Sequence, residues 1–416
     1  MRSRSRYPTS EAFGHPEIQN RLTSPYLVLE LLTNKEEIDV LDKLMTPETK
    51  KLMRAFDMAG FEIRFVGGCV RDAILGETPK DVDFCTDATP DEMRDIAKIN
   101  DFKFLPTGVS HGTATLVVDS EPFEVTTLRV DVETDGRHAE VEFTRSFEID
   151  AERRDLTINA MSMDMDGNVY DYFGGRDDLK NKVVRFVGVA ELRVQEDYLR
   201  ILRYFRFAAR FDSTMNQDDL DLFADGEVLD ALNTVSVERF WQEMQKLLDP
   251  KMPARTRIVD AIFKTQVNRA LGVFRYNPTE LTRADDAVAA LATLVASTDE
   301  EKFFQFWKLS SAEEAKVRNM IRNRCVPWSE ERVEIMLTRD KFPLDHIVSM
   351  LEVAGEPTLA RYAETFQIPI FPVTGKDLMA SGMKPGPAMG QRLRKLENAW
   401  VFSRFTRTKD ELMAID

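Results

Sequence analysis

Three cysteines in 416 residues are too few to build a framework. Cys69, Cys85 and Cys325 lie far apart and are odd in number, which fits a reducing compartment and argues against a disulfide scaffold or a zinc site. The four histidines show no metal-ligand spacing. No apolar run approaches the ~20 residues needed to cross a bilayer, so no membrane partner is expected. Positive charge is also short: 56 Lys and Arg face 71 Asp and Glu, a net charge of −15. As an average this argues against a nucleic-acid partner, because phosphate binding is mostly electrostatic. Averages hide clusters, however. Residues 375–416 hold eight Lys/Arg against five Asp/Glu, and arginines recur at 200, 203, 206 and 210.

The chain is 43% hydrophobic and 31% charged, and single cores rarely grow past ~250–300 residues, so two or more cores are expected. The opening "MRSRSR" is basic and carries Ser, the flavour of a mitochondrial transit peptide, although Pro8 and Pro16 interrupt any amphipathic helix. Residues 26–60 repeat apolar positions at three and four, which predicts helices, with Gly60 placed to end the second. Short runs rich in Val, Thr and Phe follow, bounded by Gly, Asp and Asn, and these predict strands. "DMDGNVYDY" contains an Asp-Gly hairpin turn. Past about residue 188 the period is helical: 190–211, 216–232, 235–248, 253–271, 279–296 and 299–321. The fold class expected is α+β, a mixed-sheet head followed by all-α segments. A further break falls at "IPIFPVTGKD", 368–377.

Three constellations carry chemistry. In "FVGGCVRDAILGETPKDVDF" a strand ends at Gly67-Gly68 and a helix follows from about Val70. Adjacent glycines let a backbone approach an anion, and helix-start amides favour negative charge. Thirteen residues beyond Gly68, Asp81 and Asp83 flank Val82 on a predicted strand, where period two puts both carboxylates on one face and turns Val82 and Phe84 to the core. Paired carboxylates repel unless a cation lies between them, and Mg²⁺ takes one or two carboxylates plus substrate phosphates. Glu124, on the polar face of "PFEVTTLR", is a third acid that a neighbouring strand can present.

In "ERRDLTINAM" the forked donors of Arg153 and Arg154 suit phosphate oxygens. Asp155 is placed to orient them, and Asn159 to bond a ribose hydroxyl. On local sequence alone a surface salt-bridge cluster at a strand start explains the same residues. The third constellation is "EDYLRILRYFRFAARF", 196–211. On a continuous helix Asp197 and Arg200 are i and i+3 neighbours. An Asp carboxylate accepts and an Arg donates, so side by side they form an acceptor-then-donor edge. Cytosine and adenine complement that edge, while uracil and guanine present the reverse order. Leaving buried groups unpaired costs ~1–3 kcal/mol each, enough to select C and A without a template. Arg203, Arg206 and Arg210 extend a positive stripe suited to a triphosphate or an RNA backbone.

The order GGxVRD (67–72), Asp-x-Asp (81–83), RRDLTIN (153–159) and EDxxR (196–200) resembles the class II CCA-adding tRNA nucleotidyltransferases of the polymerase β-type superfamily. "DGRHAEVEF" (135–143) is similar to that family's flexible loop, "VSVERFWQEMQKLL" (235–248) to its neck helix, and "SGMKPGPAMGQRLRKLE" (381–397) to its tail. The stretch from Thr126 to Asp164 looks like the eukaryotic, mitochondrial-type members. The resemblance implies a possible targeting extension at 1–25, a catalytic head at 26–187, a base-reading neck at 188–250, a body at 251–367 and a tRNA-binding tail at 368–416. It implies that Asp81 and Asp83 bind Mg²⁺ and that Glu124 is the third catalytic acid near the primer hydroxyl. Gly67, Gly68 and Arg71 then lie by the triphosphate, and Arg154, Asp155 and Asn159 lie around ribose and phosphates. Asp197 and Arg200 pair with the base, supported by Glu196, with Arg203 and Arg206 beside them. The implied partners are tRNA, CTP and ATP, for a monomer or homodimer in the mitochondrion, the cytoplasm, or also the nucleus. The rivals are a poly(A) polymerase or A-only enzyme of the same superfamily, and an inactive RNA-binding relative.

Overall fold

The computed structural model describes residues 42–134 and 139–415. The expected extension at 1–25, the helical reading of 26–41 and the tip of the expected loop at 135–138 lie outside the described residues. The chain divides into two compact units between Asp177 and Asp178. The sequence reading put the end of the head at 187. Residues 178–187 go with the helical unit because Val183 bridges to Thr214 and Phe186 stacks on Tyr204 at 5.5 Å.

The first unit is built on a seven-stranded sheet of order β3-β4-β5-β2-β1-β8-β9, plus a separate hairpin β6-β7. The strands are β1 (Ile63–Val66), β2 (Asp83–Thr86), β3 (Lys103–Gly108), β4 (Thr113–Val118), β5 (Glu121–Thr127), β6 (Arg129–Thr134), β7 (Ala139–Phe143), β8 (Ser162–Met163) and β9 (Val169–Tyr170). Neighbours run antiparallel except β2 and β5, which are parallel. Helix α1 (Pro47–Met58) starts on Thr46, whose side chain accepts from the Thr49 amide, and buries Leu52 and Phe56. Gly60 follows with φ +82, as its position implies. The Asp-Gly hairpin is present: Ser162 pairs with Tyr170, and Asp164 accepts from the Asp166 and Asn168 amides to hold the turn. One face of the central strands buries Phe65, Phe84 and Phe123, with Phe84 4.8 Å from Phe65 and 5.8 Å from Phe123. On the other face Val66, Cys85, Leu128 and Phe147 form a buried cluster.

The second unit is helical throughout its elements. The long helices predicted from period are cut into shorter ones by local caps. The Asp225 carboxylate caps a new helix within 216–232, Gln266 at φ +64 splits 253–271, and a Ser310–Glu313 capping box splits 299–321. Arg255, 5% exposed, is satisfied by the carbonyls of Leu248 and Leu281 at helix ends. At the C-terminus Leu378, Leu396, Trp400, Val401 and Leu412 close a small core of their own. Among the described residues no helix is long and apolar enough to cross a membrane.

Candidate active site

The parallel pairing of β2 with β5 sets Glu124 directly opposite Asp83. Directly opposed residues project to the same face, so the two carboxylates are neighbours on the face away from the phenylalanines. Asp81 was expected on the strand with Asp83. The strand instead begins at Asp83, and Asp81 lies in a bend two residues before it. Val82, expected in the core, is half-buried, while Phe84 is fully buried. Asp81, Asp83 and Glu124 nonetheless line one cleft of about 1020 Å³, together with Lys80, Thr115 and Glu121.

The electrostatics of that cleft are strained. The Asp83 carboxyl is pushed above the usual carboxylate range, first by desolvation and then by the charges of Glu124 and Asp81, with Arg154 opposing. A cation relieves such a cluster. Among the described residues no three His, Cys, Asp or Glu side chains form a ready metal cage. Mg²⁺ asks for less, because it keeps waters and takes one or two carboxylates plus phosphate oxygens. An open, oxygen-only, mutually repelling set of carboxylates fits that ion.

Helix α2 (Gly68–Ile74) starts directly from β1 through Gly67, whose φ is +73. A Cβ on Gly67 would stand 3.2 Å from Arg154 Nη1 and 3.4 Å from the Asn159 carbonyl oxygen. Backbone geometry and space therefore both require glycine there. Behind it lies a buried polar chain. Arg71, 5% exposed, donates to the Asn159 side-chain oxygen and pairs with Asp72 at 2.7 Å. The Asn159 amide donates to Asp155 at 3.2 Å. Asn159, expected at a ribose hydroxyl, thus has its amide engaged on both sides by protein.

A second carboxylate joins the expected orienter Asp155, whose charge also acts on Arg154. Asp155 partners Asn159, whereas Asp150 holds both Arg153 at 2.7 Å and Arg154 at 3.1 Å. Asp150 lies on α4 (Phe147–Glu152), the helix that follows α3 (Pro90–Ile99) in the chain. Burial raises its carboxyl, but Arg154 and Arg153 outweigh that and hold it below the usual range. These arginines sit after a helix and before a single 3₁₀ turn at Thr157–Asn159, not at a strand start. The Arg154 Nε–H is buried with no acceptor among the described residues. An unsatisfied buried donor of this kind costs ~1–3 kcal/mol. The signal for Asp150 was in the sequence: it precedes the two arginines by three and four residues, the helical neighbour spacing.

In the helical unit, the stretch 190–211 is not one helix. Helix α5 (Ala190–Glu196) ends, Asp197 is extended at φ −158 and ψ 104, and α6 (Leu199–Arg210) begins. Asp197 thus lies outside both helices, but the Arg200 backbone N–H still bonds the Asp197 carbonyl at 3.0 Å, an i+3 turn. Asp197 accepts from the Leu199 amide at 3.1 Å and pairs with Arg239 at 2.6 Å. Arg200 pairs with Glu196 at 2.6 Å and donates to the Arg193 carbonyl at 3.2 Å. The stripe is also committed: Arg206 pairs with Glu243 and lies 4.0 Å over the Phe207 ring, and Arg203 is 3.9 Å from the same Glu243. Arg239 and Glu243 both lie on α7 (Val237–Leu247), and the sequence reading gave neither a role.

The family described as Poly A polymerase head domain matches residues 63–185. The zebrafish (Danio rerio) mitochondrial CCA tRNA nucleotidyltransferase 1 is 36% identical over 97% of this chain and 98% of its own. The human protein of the same name is 35% identical over 92% and 93%. Among solved structures, the Bacillus stearothermophilus CCA-adding enzyme in complex with CTP superposes with a TM-score of 0.70 at 26% identity, covering 89% of this chain and 98% of that one.

Proposed function

The chain belongs to the CCA tRNA nucleotidyltransferases, and from that membership we propose how its own residues carry the reaction. The enzyme adds C-C-A to the 3′ end of tRNA from CTP and ATP. The tRNA 3′-oxygen attacks the α-phosphorus of the nucleotide, and pyrophosphate leaves. Such a transfer is almost entirely positioning and electrostatic stabilisation.

Asp81 and Asp83 are the residues that would hold Mg²⁺. When bound there, the ion supplies Lewis-acid stabilisation of the triphosphate and of the attacking oxygen. Glu124, in register with Asp83, accepts a hydrogen bond from the primer hydroxyl and orients it. The bare backbone at Gly67-Gly68 admits the triphosphate. Arg154, whose Nη1 stands beside Gly67, lends it positive charge, while Arg71, Asp155 and Asn159 hold that wall in place from behind. Asp197 and Arg200 read the base edge, and Glu196 fixes the Arg200 guanidinium. The salt bridges of Asp197 with Arg239 and of Arg200 with Glu196 support an edge built by separately braced side chains. Arg203 and Arg206 act by bracing α6 on Glu243.

The observation that carries this reading is the pairing of Asp83 with Glu124 beside Asp81, in a chain alike to a CCA-adding enzyme over its full length. A tRNA ending at its discriminator base tests it directly. CTP alone should extend the primer by two residues, ATP should complete the third, and Asp81→Ala should do neither. Extension by ATP with no response to CTP would favour the A-only rival. The mitochondrial names of the zebrafish and human relatives support a mitochondrial residence.

A further inference from the structure

We propose that Asp150 is a positioning residue that aims Arg154 at the nucleotide's phosphates and locks that arginine to the root of the β6–β7 hairpin. The inference rests on the head being the nucleotide site, and deepens it.

One carboxylate, 2% exposed, gathers four N–H donors from three residues. Its Oδ1 accepts from Arg153 Nε and Nη2 at 2.9 and 2.7 Å and from the Arg129 backbone N–H at 3.3 Å. Its Oδ2 accepts from Arg154 Nη2 at 3.1 Å. The division of labour between the two oxygens is the important feature. The bond at Nη2 anchors one end of the Arg154 guanidinium to a buried charge, with Nη1 set against Gly67. A planar donor fork loses little rotamer freedom per bond once it is fixed in this way. A carboxylate at that point therefore prepares Arg154 for an anion before one arrives.

The Arg129 contact adds a second connection. Arg129 opens β6, whose partner strand is β7. Asp150 therefore ties the hairpin root and the phosphate arginine to one charge. Its pedestal is buried. Phe147, at the start of the same helix, packs in a cluster with Val66, Cys85 and Leu128. Val66 precedes Gly67, Cys85 lies two residues beyond Asp83, and Leu128 precedes Arg129. The glycine loop, the carboxylate strand and the hairpin root thus converge on the helix that carries Asp150.

A buried ion pair can serve stability alone, so the test is a double-mutant cycle read in kinetics. Steady-state CTP addition is measured on tRNA lacking C-C-A for wild type, Asp150→Asn, Arg154→Ala, Arg153→Ala and the two double variants with Asp150→Asn. The expected result is a fall of about tenfold in kcat/KM for CTP in Asp150→Asn, with KM for tRNA unmoved. In the Arg154→Ala background, Asp150→Asn should add less than twofold. In the Arg153→Ala background it should keep its tenfold effect. Asp150→Glu, which keeps the charge, enters the same cycle if the Asn variant does not fold. Wild-type kinetics in Asp150→Asn, or losses that multiply with Arg154→Ala, overturn the proposal. A wild-type protein that does not extend the tRNA with CTP sinks the functional reading instead, so the two failures are told apart.

Discussion

Asp83 shows how function costs stability at a single residue. Desolvation, Glu124 and Asp81 raise its folded carboxyl above the ordinary 3.8, so the folded protein holds the proton more tightly than the unfolded chain does. Protonation of Asp83 therefore stabilises the fold at low pH, and this contribution is lost as pH rises through the raised folded value. At pH 7 the ionised group opposes folding. Asp83→Asn should raise the melting temperature of the metal-free protein by about 1–2 °C, small because the side chain keeps part of its solvent, and should abolish nucleotide addition. The gain should vanish below about pH 4. Added Mg²⁺ should stabilise wild type by mass action and not the variant. Scanning fluorimetry at both pH values, with and without Mg²⁺, checks this; a destabilised Asn variant at pH 7 would refute it. Gly67→Ala is a second test at this scale. With φ +73 and Arg154 Nη1 3.2 Å from the new Cβ, it should lower kcat/KM for both nucleotides at least tenfold in the same assay. At this scale the sequence was readable where periodicity ruled. Period two placed Asp83 opposite the buried Phe84, and a Gly-Gly pair after a strand marked the tight turn. Asp150 was readable by spacing and was missed because nothing local reveals that its helix face is buried.

At the scale of elements, long-range partners overrode helical period. The apolar repeat through 190–211 is continuous, yet the helix breaks where the Asp197 carboxylate turns to cap the Leu199 amide and to meet Arg239, 42 residues away. That partner is invisible in a local window. The Ser310–Glu313 capping box, by contrast, was legible as Ser-x-x-Glu. The order of the sheet was not: the parallel pairing of β2 with β5 passes over an intervening helix and two strands, and such a connection leaves no short-range signature. The break at Asp197 gives a prediction that separates function from stability. The pair with Arg239 is partly exposed, with side chains 33% and 23% accessible, so Arg239→Ala should cost under about 1 kcal/mol of stability. If the pair braces the base-reading edge, the same variant should lower kcat/KM for CTP several-fold and narrow the preference for CTP over UTP. Incorporation assays with each of the four nucleotides check it, and unchanged selectivity would refute the bracing role.

For the whole molecule the puzzle is charge. A chain of net charge −15 has to take up a polyanion, and its basic tail is partly neutralised from within. Arg404 pairs with Glu330 and Glu334, and Lys409 pairs with Asp377. Lys376, Lys384 and Arg407 remain exposed on the same C-terminal segment, around a compact apolar cluster that holds the segment in shape. Folded RNA is held by shape and phosphate contact, and each phosphate contact removed lowers the salt slope of binding by about one. The double charge reversal Lys384→Glu/Arg407→Glu should therefore raise KM for tRNA severalfold at moderate salt. It should lower the slope of log K against log salt by roughly two and leave the choice between CTP and UTP where it was, since neither residue is near a base reader in sequence or role. Filter binding of tRNA across a salt series, beside the four-nucleotide assay, decides the matter. A shifted nucleotide preference would mean that the tail does more than hold the RNA, and an unchanged slope would mean that the phosphates are met elsewhere on this acidic protein.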